Sequence, residues 1–144
     1  MSEYGDLVKV KCDAFADRIV KLNDYLLQLE SKKEEIRSQK ENRKPIPVFL
    51  QSVANISNQL LRAGTSVGAN NAEATNAVSK QDFRAKSYIA LKEARESLYW
   101  IELLHRNKYL DDEQYESIHE DCEELVRILV SRCKKLDSEV GRMK

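Results

Sequence analysis

Near the start of the chain, apolar residues recur at Val8, Cys12, Phe15, Ile19, Leu22, Leu26 and Leu29, in alternating steps of four and three. That spacing is the seam of an amphipathic helix packed at a shallow angle on its neighbours. Beyond it, only Ile36 continues the stripe through the charged stretch SKKEEIRSQKENRK, which reads as a solvated helical end, a frayed linker or a basic contact patch. Pro45 and Pro47 then exclude helical backbone from the residues before them, so the first helix is predicted over 6–42.

Proline is tolerated in a first helical turn, and the second helix is predicted over 47–77. Its seam is Phe49, Val53, Ile56, Leu60, Ala63, Val67, Asn70 and Ala74. A second stripe of Leu61, Gly64, Gly68 and Ala72 is mostly small and leaves room for a neighbouring backbone. Each of these glycines costs roughly 1 kcal/mol of helix propensity against alanine, which close packing must offset. The third helix, predicted over 80–106, starts with Ser79 and Asp82 in a capping-box-like arrangement. Its seam is Phe83, Ser87, Ala90, Ala94, Ser97, Ile101 and Leu104, broadened by Tyr88, Leu91 and Leu98 with Trp100 at its edge. The small residues in its middle, Ala90 and Ala94, are expected to face the small stripe of the second helix. Asp111 and Gln114 repeat the capping signal for a fourth helix over 111–141, with a seam of Tyr115, Ile118, Cys122, Leu125, Leu129, Arg132 or Cys133, Leu136 and Val140. An all-α, antiparallel up-down-up-down four-helix bundle, forming a single domain over 1–144, is the simplest architecture for this order.

Composition agrees, with four Gly, two Pro and a third of the residues charged among 144. Twenty-four Lys+Arg balance twenty-four Asp+Glu, so no charge-driven grip on nucleic acid follows from the total. No apolar run is long enough for a membrane span and the N-terminus lacks the apolar region of a signal peptide, so a cytoplasmic protein is expected. Cys12, Cys122 and Cys133 include no C-x-x-C pair and read as small core residues rather than disulfide partners or zinc ligands.

The stretch GTSVGAN does not match a phosphate-binding loop, since its glycines are spaced G-x-x-x-G with helix on both sides. Glu116-x-x-His119, together with Glu73, Glu93 and Glu96, carries part of the ligand pattern of a carboxylate-bridged metal site. A second Glu-x-x-His is missing, and His105 stands at the end of the third helix, so no metal or other cofactor is expected. No pairing of nucleophile, base and orienting group supports covalent catalysis, and the chain reads as a non-enzyme. The polar residues amid the small ones carry more information. Arg62, Ser66, Asn70, Glu73, Glu93 and Glu96 read either as a solvated face or as a charge-assisted network that fixes a subunit interface. Lys32, Lys33, Arg37, Lys40, Arg43 and Lys44, with Lys80, Arg84 and Lys86, are the candidate contacts to RNA or DNA.

The blocks QLLRAGTSVGANNAEA and DFRAKSYIALKEARESLYWIELL resemble the four-helix-bundle proteins named for the 23S rRNA intervening sequence. The accessory variability proteins of diversity-generating retroelements are related to that family. Arg62, Ser66, Asn70, Ala72 and Glu73 carry the likeness in the first block, and Ala90, Glu93, Glu96, Tyr99 and Trp100 in the second. The resemblance implies a homopentameric ring without enzymatic activity whose partners are itself, a protein, or nucleic acid in company with a reverse transcriptase or ribosomal RNA. Two departures stand out: Asn71 occupies a position where an apolar residue is common, and the first half of the fourth helix is acidic from Asp111 to Glu124. The acidic helix argues against RNA binding, and a structural component of the ribosome is not expected.

Overall fold

The computed structural model describes residues 3–143, which form four long helices and one short 3-10 turn, with no strand among the described residues. Helix α1 spans Glu3–Lys40, α2 Ser52–Thr75, α3 Lys80–Arg106 and α4 Asp112–Arg142. Helix α2 packs closely on both α1 and α3, α3 packs on α4, and α1 meets α4 least closely. One core joins all four, from Val8, Phe15 and Ile19 through Leu60 and Val67 to Ile101, Leu104, Leu125 and Leu129.

Capping residues set the starts of α3 and α4. Ser79 Oγ accepts the Asp82 amide at 3.0 Å, and the Asp82 carboxylate in turn accepts the Val78 amide. Asp111 and Gln114 form a complete capping box, with both reciprocal bonds made. Two helices end in left-handed residues other than glycine, Asn42 (φ 51°) and Lys108 (φ 68°). Each lets the next residue donate back into the last turn, Arg43 to the Ser38 carbonyl and Tyr109 to the Leu104 carbonyl, the Schellman arrangement.

Three expectations are corrected. The second helix begins at Ser52 and not near Pro47: Pro47 instead leads a 3-10 turn, Val48–Leu50, and extended backbone at Gln51 separates that turn from α2. Phe49, expected on the seam, is 70% exposed. The charged end of α1 is not a frayed arm. Its buried stripe continues through Glu30, Glu34 and Ser38 while Ile36 is exposed, because the chain after α1 folds back over this face and supplies polar partners. Finally, Gly64 and Gly68 face α1 and not α3. A Cβ at Gly64 would stand 3.0 Å from Ile19 Cγ1, and one at Gly68 3.7 Å from Cys12 Cβ. Ala90 and Ala94 are buried, whereas Ala72 is exposed.

No helix among the described residues is long and apolar enough to cross a membrane. Cys12, Cys122 and Cys133 are buried free thiols, and burial pushes Cys12 up to about 11 and Cys122 up to about 12. They are protonated at neutral pH, so they serve as small core residues and not as nucleophiles.

Candidate functional site

The polar residues of the α2–α3 seam divide into two ion-pair bridges and two local contacts. Arg62 reaches across to Glu93 at 3.3 Å and also bonds Glu96, while Glu73 pairs with Lys86 at 2.7 Å. Ser66 Oγ donates to the Arg62 carbonyl, and the half-buried Asn70 amide donates to the Ser66 carbonyl, so both satisfy themselves within α2. The fully buried amide is the next residue, Asn71, which is 1% exposed and accepts a 2.6 Å bond from Arg132 of α4.

The carboxylates considered as metal ligands are not gathered in one place. Glu93 and Glu96 meet Arg62, Glu73 meets Lys86, and Glu116 is exposed. His119 Nδ1 lies 2.7 Å from Glu123 and Nε2 3.3 Å from Glu102, with Tyr115 between it and His105 in a stack of three rings. Among the described residues no group of three or more His, Cys, Asp or Glu side chains is arranged to hold a metal ion.

Most of the basic candidates are engaged. Lys33 pairs with Glu30, Arg37 and Arg43 with Glu34, Lys80 with Glu139, Arg84 with Asp137, and Lys86 with Glu73. Arg84 also lies over the Tyr88 ring, and Tyr88 donates to the same Asp137. Lys32, Lys40 and Lys44, all near the C-terminal end of α1, are exposed cations.

Two arrangements were not legible in the sequence. At the C-terminal end of α1, Glu34 is 2% exposed and collects the fork of Arg43 (2.8 and 3.1 Å), Arg37 (3.2 Å) and the Ile46 amide (2.7 Å). These donors hold its carboxyl down at about 2, the Arg43 hydrogen bonds foremost. The clasp fixes the loop from which Ile46, Phe49 and Leu50 project into solvent, Leu50 at 64% exposure. At the opposite end of α1, Arg132 is 8% exposed beside Asn71, with its guanidinium carbon 5.3 Å from the centre of the Phe83 ring. Two adjoining cavities, of about 450 and 470 Å³, share Gly5, Phe83 and Arg132 in their walls.

A family model for 23S rRNA-intervening sequence proteins matches residues 49–131, which take in the Phe49 turn, α2, α3 and most of α4. The chain belongs to the 23S rRNA-intervening sequence protein family. Among solved structures, a protein of unknown function from the S23 ribosomal protein family of Bacteroides thetaiotaomicron VPI-5482 is similar at 40% identity and a TM-score of 0.70, the match covering 91% of this chain and 98% of that one. No curated protein matches the chain. Arg62, Glu93 and Glu96 form a bridge inside one chain, linking α2 to α3. Tyr99 and Trp100, which carried part of the resemblance, form an edge-to-face ring pair at 5.0 Å.

Proposed function

We propose that this family member is a non-enzymatic, cytoplasmic scaffold or adaptor that assembles with copies of itself, as a ring of five up-down-up-down bundles. The observation that carries the reading is the ordered apolar knuckle of Ile46, Phe49 and Leu50. Exposed apolar side chains on a mobile loop would pay an ordering cost on association. Here the Glu34 clasp has already fixed the loop, which is the state a protein-protein contact favours. Support for the up-down order comes from the register of cross-helix pairs: Cys12 and Ile19 of α1 meet Gly68 and Gly64, and Arg62 and Glu73 of α2 meet Glu93 and Lys86. The test is the solution mass at micromolar concentration. Wild type is expected at five times the chain mass and the double substitution Phe49→Asp, Leu50→Asp as a folded monomer; a monomeric wild type overturns the reading.

A second reading, RNA or DNA binding in company with a reverse transcriptase or ribosomal RNA, is favoured by the exposed Lys32, Lys40 and Lys44, which have no ion-pair partner among the described residues, and by the family's name. In a ring, three cations per chain would repeat into a charged rim that a neutral chain total conceals. Reversing those three charges should abolish RNA retardation at low salt, whereas reversing the ion-paired Lys80, Arg84 and Lys86 should change it less. Unretarded RNA with excess wild type at low salt excludes this reading. A structural place in the ribosome and a carboxylate-bridged metal centre are the readings we set aside.

A further inference from the structure

Arg132 is largely withdrawn from water, and no carboxylate among the described residues compensates it. Its one hydrogen-bond partner among the described residues is the Asn71 amide oxygen, and its flat face lies toward Phe83. The ionisable groups that bear on it are Cys12, Tyr4 and Cys133, two thiols and a phenol. A guanidinium offers five N–H donors and stays charged in proteins, so one bond to Asn71 leaves most of its donor capacity over, and Arg132 lines both adjoining cavities. A buried charge of this kind is costly unless something pairs with it. The same chain surrounds the buried Glu34 carboxylate with three separate donors, two of them of opposite charge, whereas Arg132 meets no opposite charge among the described residues.

We propose that this end of the bundle binds a small organic anion, with Arg132 holding its carboxylate or phosphate head and Phe83 and Leu136 flanking an apolar or aromatic body. Each cavity is within the size range of small-molecule sites, and its walls set apolar surface, Phe83 with Leu136 in one and with Ala74 and Ala77 in the other, beside polar side chains. Lys135 adds a second positive charge to the wall. Glu139, the acidic residue there, is held by Lys80 at 3.0 Å, which blunts its repulsion of an incoming anion. The guanidinium fork matches two oxygens of a carboxylate or phosphate at once. The inference is independent of self-association and of nucleic-acid binding.

The test is calorimetric titration of the full-length protein with phenyl phosphate, benzoate, inorganic phosphate and, as a cationic control, benzylammonium. Saturable one-to-one binding of at least one aromatic anion, with no binding of benzylammonium, is expected. The three anions separate a headgroup site from one that needs the apolar body: binding of inorganic phosphate as tight as phenyl phosphate would remove the roles given to Phe83 and Leu136. Arg132→Met should weaken binding tenfold or more, the loss expected of a charge-assisted bond in a buried site. Lys135→Gln, a change at an exposed position that leaves the fold intact, should weaken it by a smaller factor. Absence of saturable binding at millimolar anion, or binding undiminished in folded Arg132→Met, overturns the proposal. So does loss of self-association in Arg132→Met without anion binding by wild type, because Arg132 would then be meeting a carboxylate of a second copy.

Discussion

Glu34 and Arg132 are both charged groups removed from water against the same long helix. Measured from Cys12, which lies beside Arg132, they are roughly 33 Å apart along α1 at the usual rise per residue. At the Glu34 end the carboxylate has a full set of donors, two arginines and a backbone amide, and their reward is an ordered loop. At the Arg132 end the cation has one neutral acceptor among the described residues and two adjoining open cavities. A satisfied buried charge organises the backbone around it, whereas a half-satisfied one keeps a capacity to bind. The first end is suited to presenting a fixed surface and the second to receiving something.

Removing the centre of the clasp should give the largest effect. Glu34→Ala leaves Arg43 and the Ile46 amide without their acceptor and should release residues 43–50 from α1. Hydrogen exchange should show the amides of this loop falling to the protection of an unstructured segment while α3 keeps its own. If the loop stays protected, the carboxylate does not hold it. The apolar knuckle should lose its fixed geometry in the same variant, so the solution mass should fall with it.

The Arg132 end should respond less, and in a way that identifies an underpaired charge. Asn71→Ala removes the one hydrogen-bond acceptor that Arg132 has among the described residues and should cost about 1–3 kcal/mol in urea unfolding. Adding Arg132→Met to Asn71→Leu should recover most of the loss, since apolar residues of similar volume often replace a buried polar pair without penalty. Additive losses in that double-mutant cycle would mean that the two side chains do not act as a pair.

Acid should separate the ends next. The folded pKa of Glu34, about 2, lies below its unfolded value near 4.5, so its contribution is present above pH 4.5 and is lost as pH falls toward 2. Asp137 and Glu139, near Arg132, are also lowered, by their hydrogen bonds with Tyr88 and Arg84 and with Lys80, and their contribution is lost in the same direction. Those two pairs are largely exposed and contribute little. Exchange measured between pH 5 and 3 should therefore open the loop after α1 before it opens the ends of α3 and α4. Simultaneous opening would show that the ends are coupled through the bundle.

The seams of α2, α3 and α4 were readable because apolar residues face the core whichever helix lies opposite. Caps at Ser79 and Asp111 were readable because their partners are three residues away. Leu29, three heptads after Val8 and only half-buried, shows where a fixed repeat strays along α1. A strict seven-residue repeat drifts about 20° per heptad from a straight helix, so after three heptads the buried position moves on by most of a residue. The structure accordingly buries Glu30 more deeply than Leu29; in α2 Asn71 is buried more deeply than Asn70, while Ala74, three heptads after Val53, keeps its place on the seam. The Glu34 clasp was hidden for another reason: a glutamate among lysines reads as solvent-facing until the returning loop brings its partners from Arg43 and Ile46. Arg132 was legible as a seam position, but its lack of a carboxylate depends on residues from all four helices.

The two glycines between these ends provide the finest distinction. Both looked equivalent in sequence, yet a Cβ at Gly68 meets its nearest neighbour at 3.7 Å, an ordinary contact, so Gly68→Ala should gain up to about 1 kcal/mol of helix propensity. A Cβ at Gly64 would stand 3.0 and 3.2 Å from the two γ carbons of Ile19, a β-branched side chain that is 1% exposed. Ile19 has few other rotamers, and overpacking costs about 1–3 kcal/mol, so Gly64→Ala should be a net loss of about 1 kcal/mol after the propensity gain. Thermal unfolding of the two variants should thus shift in opposite directions. Because Gly64 fixes α2 on α1 between the Asn71–Arg132 pair and the clasp, exchange in Gly64→Ala tells how far each end depends on that contact. If only the unfolding temperature changes and the loop and cavity amides keep their relative protection, the two ends are set by their own local charges and not by the packing between them.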